Sequence, residues 1–310
     1  MSEVRFGYCC INLELSEKRI MTNRTMIKKT FTSKGKVYAS ELALKNVKDL
    51  VTICEWNVKN NMTLYRMSSS IFPWMSEYEL TDLVDIKEIG EILLELGVYI
   101  KKNGLRVSFH PGPYNVLGSP RAEVVEKTLK ELNQHAEIMD MMGLDESRQY
   151  PINIHCNGAY GDKTSTLIRW CNEFSKLSSA AKNRLVIEND DRASLYSVLD
   201  LSEGISKKVG VPVTFDYHHH GFNTGGQTEE ESFKLAYSTW PYGITPLFHY
   251  SSSKKLHEDS SVKEQAHADY IYENIMTYGM DIDIDIEAKK KEKAVQQYLK
   301  MFVNESVAQV

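Results

Sequence analysis

Short apolar runs that end on a polar residue recur along the chain, and each is followed by a longer stretch with helical spacing. Val4–Cys10, Met62–Arg66, Leu105–His110, Pro151–His155, Arg184–Glu188, Val213–Asp216, Thr245–His249 and Asp281–Glu287 have the length and β-branched or aromatic content of strands. Ala39–Asn60, Leu83–Lys102, Glu123–Met142, Thr164–Leu177, Ser194–Val209, Glu229–Tyr237, His267–Tyr278 and Lys289–Phe302 fit helices, several closed by glycine stop signals such as Asn103-Gly104, Gly143 and Gly210. A polar segment, Thr22-Asn-Arg-Thr25, and a lysine-rich stretch to Lys36 precede the first helix. Strands that alternate with helices predict a parallel sheet, and eight such units predict a closed (β/α)8 TIM barrel. No glycine-rich phosphate loop follows any strand, which weighs against an open doubly wound sheet. With no linker and no internal repeat, residues 1–310 are expected to form a single domain.

The polar residues at the strand ends carry the chemistry. In such barrels the reactive groups sit at the C-terminal ends of the strands. Here those ends read His110, His155, Glu188, Asp216 with His219, His249 and Glu287, and His267 lies in the loop after the seventh strand. Side chains alternate along a strand, so Phe109, Ile154, Ile187, Phe215, Phe248 and Ile286 are expected to face the helices. The polar residue after each then faces the barrel mouth. Converging carboxylates and imidazoles need a cation to share. Mixed nitrogen and oxygen donors suit a divalent transition ion. The densest stretch is Pro212-Val-Thr-Phe-Asp-Tyr-His-His-His-Gly221. The pattern predicts two or three divalent ions bridged by Glu188, Asp216 and Glu287. Of His218 and His220, at least one supports a ligand or faces substrate. His135 and His257 fall outside the pattern and are expected at the surface.

Composition narrows the setting. The chain has 310 residues, 42% of them hydrophobic, and no apolar run long enough to span a bilayer. Its N-terminus lacks the apolar stretch of a secretory signal. Five cysteines, odd in number and without zinc-knuckle spacing, read as reduced thiols. A cytoplasmic or nuclear protein is expected. The net charge of −5 excludes a coat of positive charge but leaves room for a local basic groove. A multi-metal site can clamp a phosphodiester for hydrolysis or assist sugar isomerisation, and the donor set alone does not choose. The first loop offers Tyr8, Asn12, Asn23 and Arg24; the second, Phe72, Pro73 and Trp74; the third, Pro113 and Tyr114. Aromatic side chains there can stack on bases or pack against the rim. Arg24, Arg66, Arg121 and Lys163 are candidates for phosphate contacts.

These motifs appear in the order of a known family. Gly7-Tyr-Cys-Cys-Ile-Asn-Leu13, Thr22-Asn-Arg-Thr25, Tyr65-Arg-Met-Ser-Ser69, His110-Pro-Gly112, Ile154-His155 with Gly158-Ala-Tyr-Gly161, Leu185-Val-Ile-Glu-Asn-Asp190, Asp216-Tyr-His-His-His220, His267-Ala-Asp269 and Ile286-Glu-Ala-Lys289 resemble the ultraviolet damage endonucleases. These are relatives of endonuclease IV among the xylose-isomerase-like barrels. The resemblance implies a DNA repair hydrolase that uses divalent metal, typically Mn2+, with Zn2+, Mg2+ or Co2+ as alternatives. Its partner would be double-stranded DNA carrying ultraviolet lesions. It would nick immediately 5′ of a cyclobutane pyrimidine dimer or a (6-4) photoproduct, leaving a 3′-hydroxyl and a 5′-phosphate. The implied metal ligands are His110, His155, Glu188, Asp216, His219, His249, His267 and Glu287, with Glu188, Glu287 and Lys163 serving catalysis. The implied lesion-binding residues are Tyr8, Asn12, Asn23, Arg24, Pro113 and Tyr114. Lesions stack poorly, so extruding them costs less than extruding an intact pair.

The chain departs from the family at three places. Ser70 stands where some members have histidine, Pro113 where many have glutamine, and Leu247 where some carry a modified lysine. An apolar floor or a water beneath His249 is therefore expected instead of a carboxylated lysine, with Asp285 as a supporting carboxylate. A monomer suits a barrel that grips a duplex across its open face. The competing readings are a sugar isomerase on the same barrel and a damage-binding protein without catalysis.

Overall fold

The computed structural model describes residues 4–304. Eight strands lie parallel: β1 (Phe6–Cys9), β2 (Leu64–Met67), β3 (Arg106–Phe109), β4 (Ile152–His155), β5 (Leu185–Glu188), β6 (Val213–Thr214), β7 (Leu247–Tyr250) and β8 (Asp283–Ile286). β1 pairs with both β2 and β8, so the sheet curls back on itself. The last seam, between β6 and β7, closes through a bridge between Asp216 and His249, with the His249 N–H 2.9 Å from the Phe215 carbonyl. The (β/α)8 TIM barrel is thus completed at two residues of the strand-end set.

The strands form where apolar runs predict them, with ends shifted by one or two residues: most are shorter, while β2 and β7 start later and run one residue further. The helices differ more. The first runs Lys28–Lys59, so the lysine-rich stretch belongs to it, and Gly35 at φ 64° interrupts it. Leu13–Ser16 and Ser179–Arg184 add short helices. The stretch expected as a helix at His267–Tyr278 is not helical. Its buried Ala268, Ile271 and Ile275 have helical spacing, but its backbone groups are engaged elsewhere. The Ala268 N–H donates to the Ser252 carbonyl (2.9 Å), that of Tyr272 to Ser252 Oγ (3.1 Å) and that of Ile275 to the Tyr298 hydroxyl (3.2 Å). Long-range partners thus replace the i−4 ladder. Among the described residues no helix is long and apolar enough to cross a membrane.

The outward strand residues pack as the alternation predicts: Phe215 and Phe248 both meet Phe233 edge-on. Phe109 meets His135, which corrects the surface placement of that histidine: it is fully buried, with Nδ1 2.8 Å from the Glu131 carbonyl. The inward residues are unusually charged. At the barrel floor, Arg106 pairs with Asp283 (2.7 Å) and donates to the carbonyls of Arg148, Gln149 and Thr245. Arg5 closes the same pair from below, 2.6 Å from Asp283. One layer higher, Asp285 faces Arg66 at 4.0 Å. A buried guanidinium needs such a saturated set of acceptors.

Candidate metal centre

Glu188 ends β5 and stands fully buried at the top of the barrel. Four imidazoles surround its carboxylate: His110 Nε2 at 2.9 Å, His249 Nδ1 at 3.1 Å, His219 Nδ1 at 3.2 Å and His155 Nε2 at 3.6 Å. They come from β4, β7, the residue after β3 and the turn after β6. That turn is shaped by Asp216, which caps the short helix Tyr217–His220: its Oδ1 accepts the His219 N–H at 2.8 Å and folds the ring back over the strand ends. Glu287, just past β8, is bound by the Arg66 guanidinium and lies 3.4 Å from His249 Nδ1. His267 reaches the same corner, with Nδ1 3.7 Å from Glu287 Oε2. All eight strand-end candidates therefore share one mouth.

The charges are interlocked. Burial presses Glu188 toward its neutral form, but His155 and His249 outweigh burial and hold the carboxyl well below its ordinary range. Burial likewise lowers His155, while Glu188 and Asp190 overcome it and lift the imidazole to about 9. His219 and His249 are raised against burial, His219 by Asp216 and Glu188, His249 by Glu188. His110 is lowered, because burial prevails over its contact with Glu188. Burial favours the neutral form of Glu287 too, yet Arg66 and His249 keep it ionised. Burial raises Asp285.

The donor set fits a divalent cation. Ligand atoms of His110, His155 and Glu188 lie within 4.8 Å of one another, as do those of Glu188, Asp216 and His249. Asp216 Oδ2 is buried without a hydrogen-bond partner, and Glu188 Oε1 and His249 Nδ1 make no well-aligned hydrogen bond and face only other members of the cluster, an arrangement that a shared cation would satisfy. Glu188 belongs to both groups and could be shared by two ions.

Supporting residues less visible in the sequence hold these candidate ligands. Asn153 donates its side-chain amide to Glu188, and the Asn189 side chain binds both the N–H (2.9 Å) and the carbonyl (3.0 Å) of Asp216. Asp190 lies 3.3 Å from His155 Nδ1. Their signal was adjacency: Asn189 and Asp190 directly follow Glu188. Arg66, expected to meet phosphate, is instead buried against Glu287 and Cys9. His218 packs its ring on Phe222 and His267, and His220 on Phe215, so both lie behind the ligands.

Other expected site residues separate by exposure. Tyr8 is fully buried, its hydroxyl donating to Asn57 (2.7 Å) and accepting from Asn12 (2.9 Å). Tyr8 and Asn12 are therefore held beneath the first loop, because Tyr8 points outward from β1 toward the helix layer. Arg24 spends its guanidinium on Asp49 (2.7 Å) and on the Arg19 and Met21 carbonyls. Lys163 starts the Lys163–Phe174 helix and pairs with Asp200 at 3.1 Å, outside the ligand cluster. His257 is half-buried against Glu273 and stacked on Tyr272, so it is not a free surface histidine. Asn23 is exposed, and Tyr114, beside Pro113 at the mouth, is 89% exposed. Leu247 is buried directly below His249 on β7, as expected from its parity.

Comparison with known proteins gives concordant results. The model of the family described as UV-endonuclease UvdE matches residues 4–309. The UV DNA damage endonuclease of Clostridium perfringens (strain 13 / Type A) is 34% identical over 294 residues, covering 92% of this chain and 68% of its own length. That of Bacillus pumilus (strain SAFR-032) is 32% identical over 304 residues, covering 94% of this chain and 91% of its own. The crystal structure of SacUVDE superposes with a TM-score of 0.84 at 31% identity, over 96% of this chain and 99% of that one.

Proposed function

The chain belongs to the UV-endonuclease UvdE family, and from that membership we propose that it is a metal-dependent DNA repair endonuclease acting on ultraviolet-damaged duplex. The cut falls immediately 5′ of a cyclobutane pyrimidine dimer or a (6-4) photoproduct and leaves a 3′-hydroxyl and a 5′-phosphate. The protein acts as a monomer with one barrel domain, in the cytoplasm or nucleus. The observation that carries this reading is the buried Glu188 carboxylate with four imidazole nitrogens within 3.6 Å at the open end of the barrel. Family membership sets aside the isomerase reading.

His110 and His155 with Glu188 would hold one ion, and Asp216 and His249 with Glu188 a second; His219, His267 and Glu287 complete the surroundings. Mn2+ suits this mixed nitrogen and oxygen set, with Zn2+, Mg2+ and Co2+ as competitors. Divalent ions held by these residues would supply Lewis acidity for water activation and for charge stabilisation at a phosphodiester. The chain's own residues do the rest. Asn153 and Asn189 fix the orientation of Glu188 and the Asp216 backbone, and Arg66 pins Glu287. Tyr114 presents a free ring that can wedge where stacking is already weak.

The test is nicking of supercoiled plasmid, irradiated or not, with Mn2+ or with a chelator. Nicking of irradiated DNA alone, and only with metal, is expected, restored after chelation by Mn2+ before Zn2+, Mg2+ or Co2+. Binding of irradiated DNA without nicking under any metal would instead establish a damage-binding protein.

A further inference from the structure

A second feature stands on the same face of the barrel, and the chemistry above does not use it. The Lys28–Lys59 helix follows β1, Trp74 lies in the loop after β2, and the Ala122–Met141 helix follows β3. The helix starts and the loop therefore all lie at the mouth end of the strands. Between them runs an open cleft of about 560 Å³, lined among others by Lys28, Phe31, Lys36, Trp74 and Lys127. It adjoins a groove lined by Ser69, Ser70, Pro113 and Tyr114, and Trp74 is common to both.

Two backbone departures shape the cleft. Gly35, at φ 64° and ψ −157°, breaks the helix, so the turns carrying Lys28 and Phe31 take their own direction. Trp74 sits in the left-handed region (φ 61°, ψ 27°), a conformation unfavourable for such a residue that persists where the surroundings impose it. Its Nε1 donates to the Met26 carbonyl at 2.8 Å and its ring lies on Phe31, centroids 5.4 Å apart at 9°. The result is a fixed aromatic platform on the rim.

The first turns of the helix carry charge of one sign, and the cleft's own lining adds one acid, Glu77. Residues 28–36 contain Lys28, Lys29, Lys34 and Lys36 and no acid, in a chain of net charge −5. Lys36, Lys127 and Lys130 are answered by Asp82, Glu77 and Glu79. Lys28 and Lys29 are exposed and have no ion-pair partner among the described residues, and Lys34 lies over the Tyr38 ring at 4.2 Å. An aromatic floor with unanswered ammonium groups suits a sugar-phosphate chain.

We propose that this cleft takes the phosphodiester backbone of the duplex flanking the lesion, with Lys28 in its lining and the exposed Lys29 beside it meeting successive phosphates and the Phe31–Trp74 platform packing a sugar. The inference rests on the reading of the protein as a DNA endonuclease. It assigns the cleft a grip that is blind to sequence and to damage, while the neighbouring groove at Tyr114 meets the lesion.

The test is binding of a fluorescent undamaged duplex across a salt series, by wild type, by Lys28→Ala/Lys29→Ala and by Lys59→Ala at the opposite end of the same helix. Each lysine removed from a phosphate should lower the slope of log K against log salt by about 1, so the double variant should lose about 2 and Lys59→Ala nothing. A Lys28→Glu/Lys29→Glu variant should weaken binding further in the same direction. An unchanged slope in the double variant overturns the proposal, as does an equal change in Lys59→Ala, which would mark a bulk charge effect. Wild-type nicking of irradiated plasmid is read in parallel: its absence counts against the endonuclease reading, whereas an unchanged slope beside normal nicking counts against the cleft alone.

Discussion

At the scale of single residues, Glu188 is the group on which the mouth converges, and its replacement is the sharpest local test. Glu188→Gln keeps the shape but removes the charge shared by both ligand groups. Nicking should fall by roughly 10²–10³-fold or more, and metal affinity with it; near-normal activity would contradict the ligand assignment. The imidazoles predict a pH dependence. In the metal-free protein His155 is held at about 9, above its unfolded value of about 6.5. Its protonated form therefore stabilises the fold below about 6.5, and that contribution is lost as pH rises through about 9. A cation requires neutral imidazoles, so metal affinity should climb across the same window with protons released. Calorimetric titrations in buffers of different ionisation enthalpy read this directly, and a pH-independent affinity would contradict it. The convergence of the candidate ligands was legible in the sequence because a polar residue after an apolar run marks a strand end. Tyr8 and His135 show the limit: composition around them looks alike whether the side chain faces the mouth or the helix layer. Arg66 was legible as a cation but not as a buried one, since its partner Glu287 lies 221 positions away.

At the scale of elements, the strands were readable and the loops between them were not. Periodicity mistook His267–Tyr278 for a helix because Ala268, Ile271 and Ile275 are buried with helical spacing while the backbone bonds to distant partners. The floor of the barrel was invisible for the same reason, since Arg106 and Asp283 meet from β3 and β8. Asp283→Ala leaves the buried Arg106 guanidinium unpaired, so it should destabilise the fold by about 3–5 kcal/mol in denaturant unfolding. Metal stoichiometry should not change, because the floor lies below the ligand layer; a lost ion would mean that floor and mouth are coupled. The loop after β3 behaves oppositely. Tyr114→Ala should alter stability by less than about 0.5 kcal/mol, because the ring is 89% exposed. It should narrow the preference for irradiated over intact DNA in competition binding, and unchanged selectivity would remove Tyr114 from lesion recognition.

At the scale of the whole molecule, the barrel divides its labour along its axis. Arg5, Arg106 and Asp283 seal one end with an ion-pair plug, Arg66 and Asp285 bring charge to the middle, and the carboxylates and imidazoles gather at the other end. The ring closes at Asp216 and His249, so the last seam of the fold is also part of the candidate metal centre. The decisive experiment incubates an end-labelled duplex bearing one cyclobutane pyrimidine dimer at a defined position with the protein and Mn2+ and resolves the products at single-nucleotide length. One cut is expected, on the damaged strand, at the phosphodiester immediately 5′ of the dimer, with a 3′-hydroxyl that a polymerase extends, and no cut with chelator. Cleavage elsewhere, equal cleavage of the undamaged duplex, or cleavage that survives metal removal would contradict it.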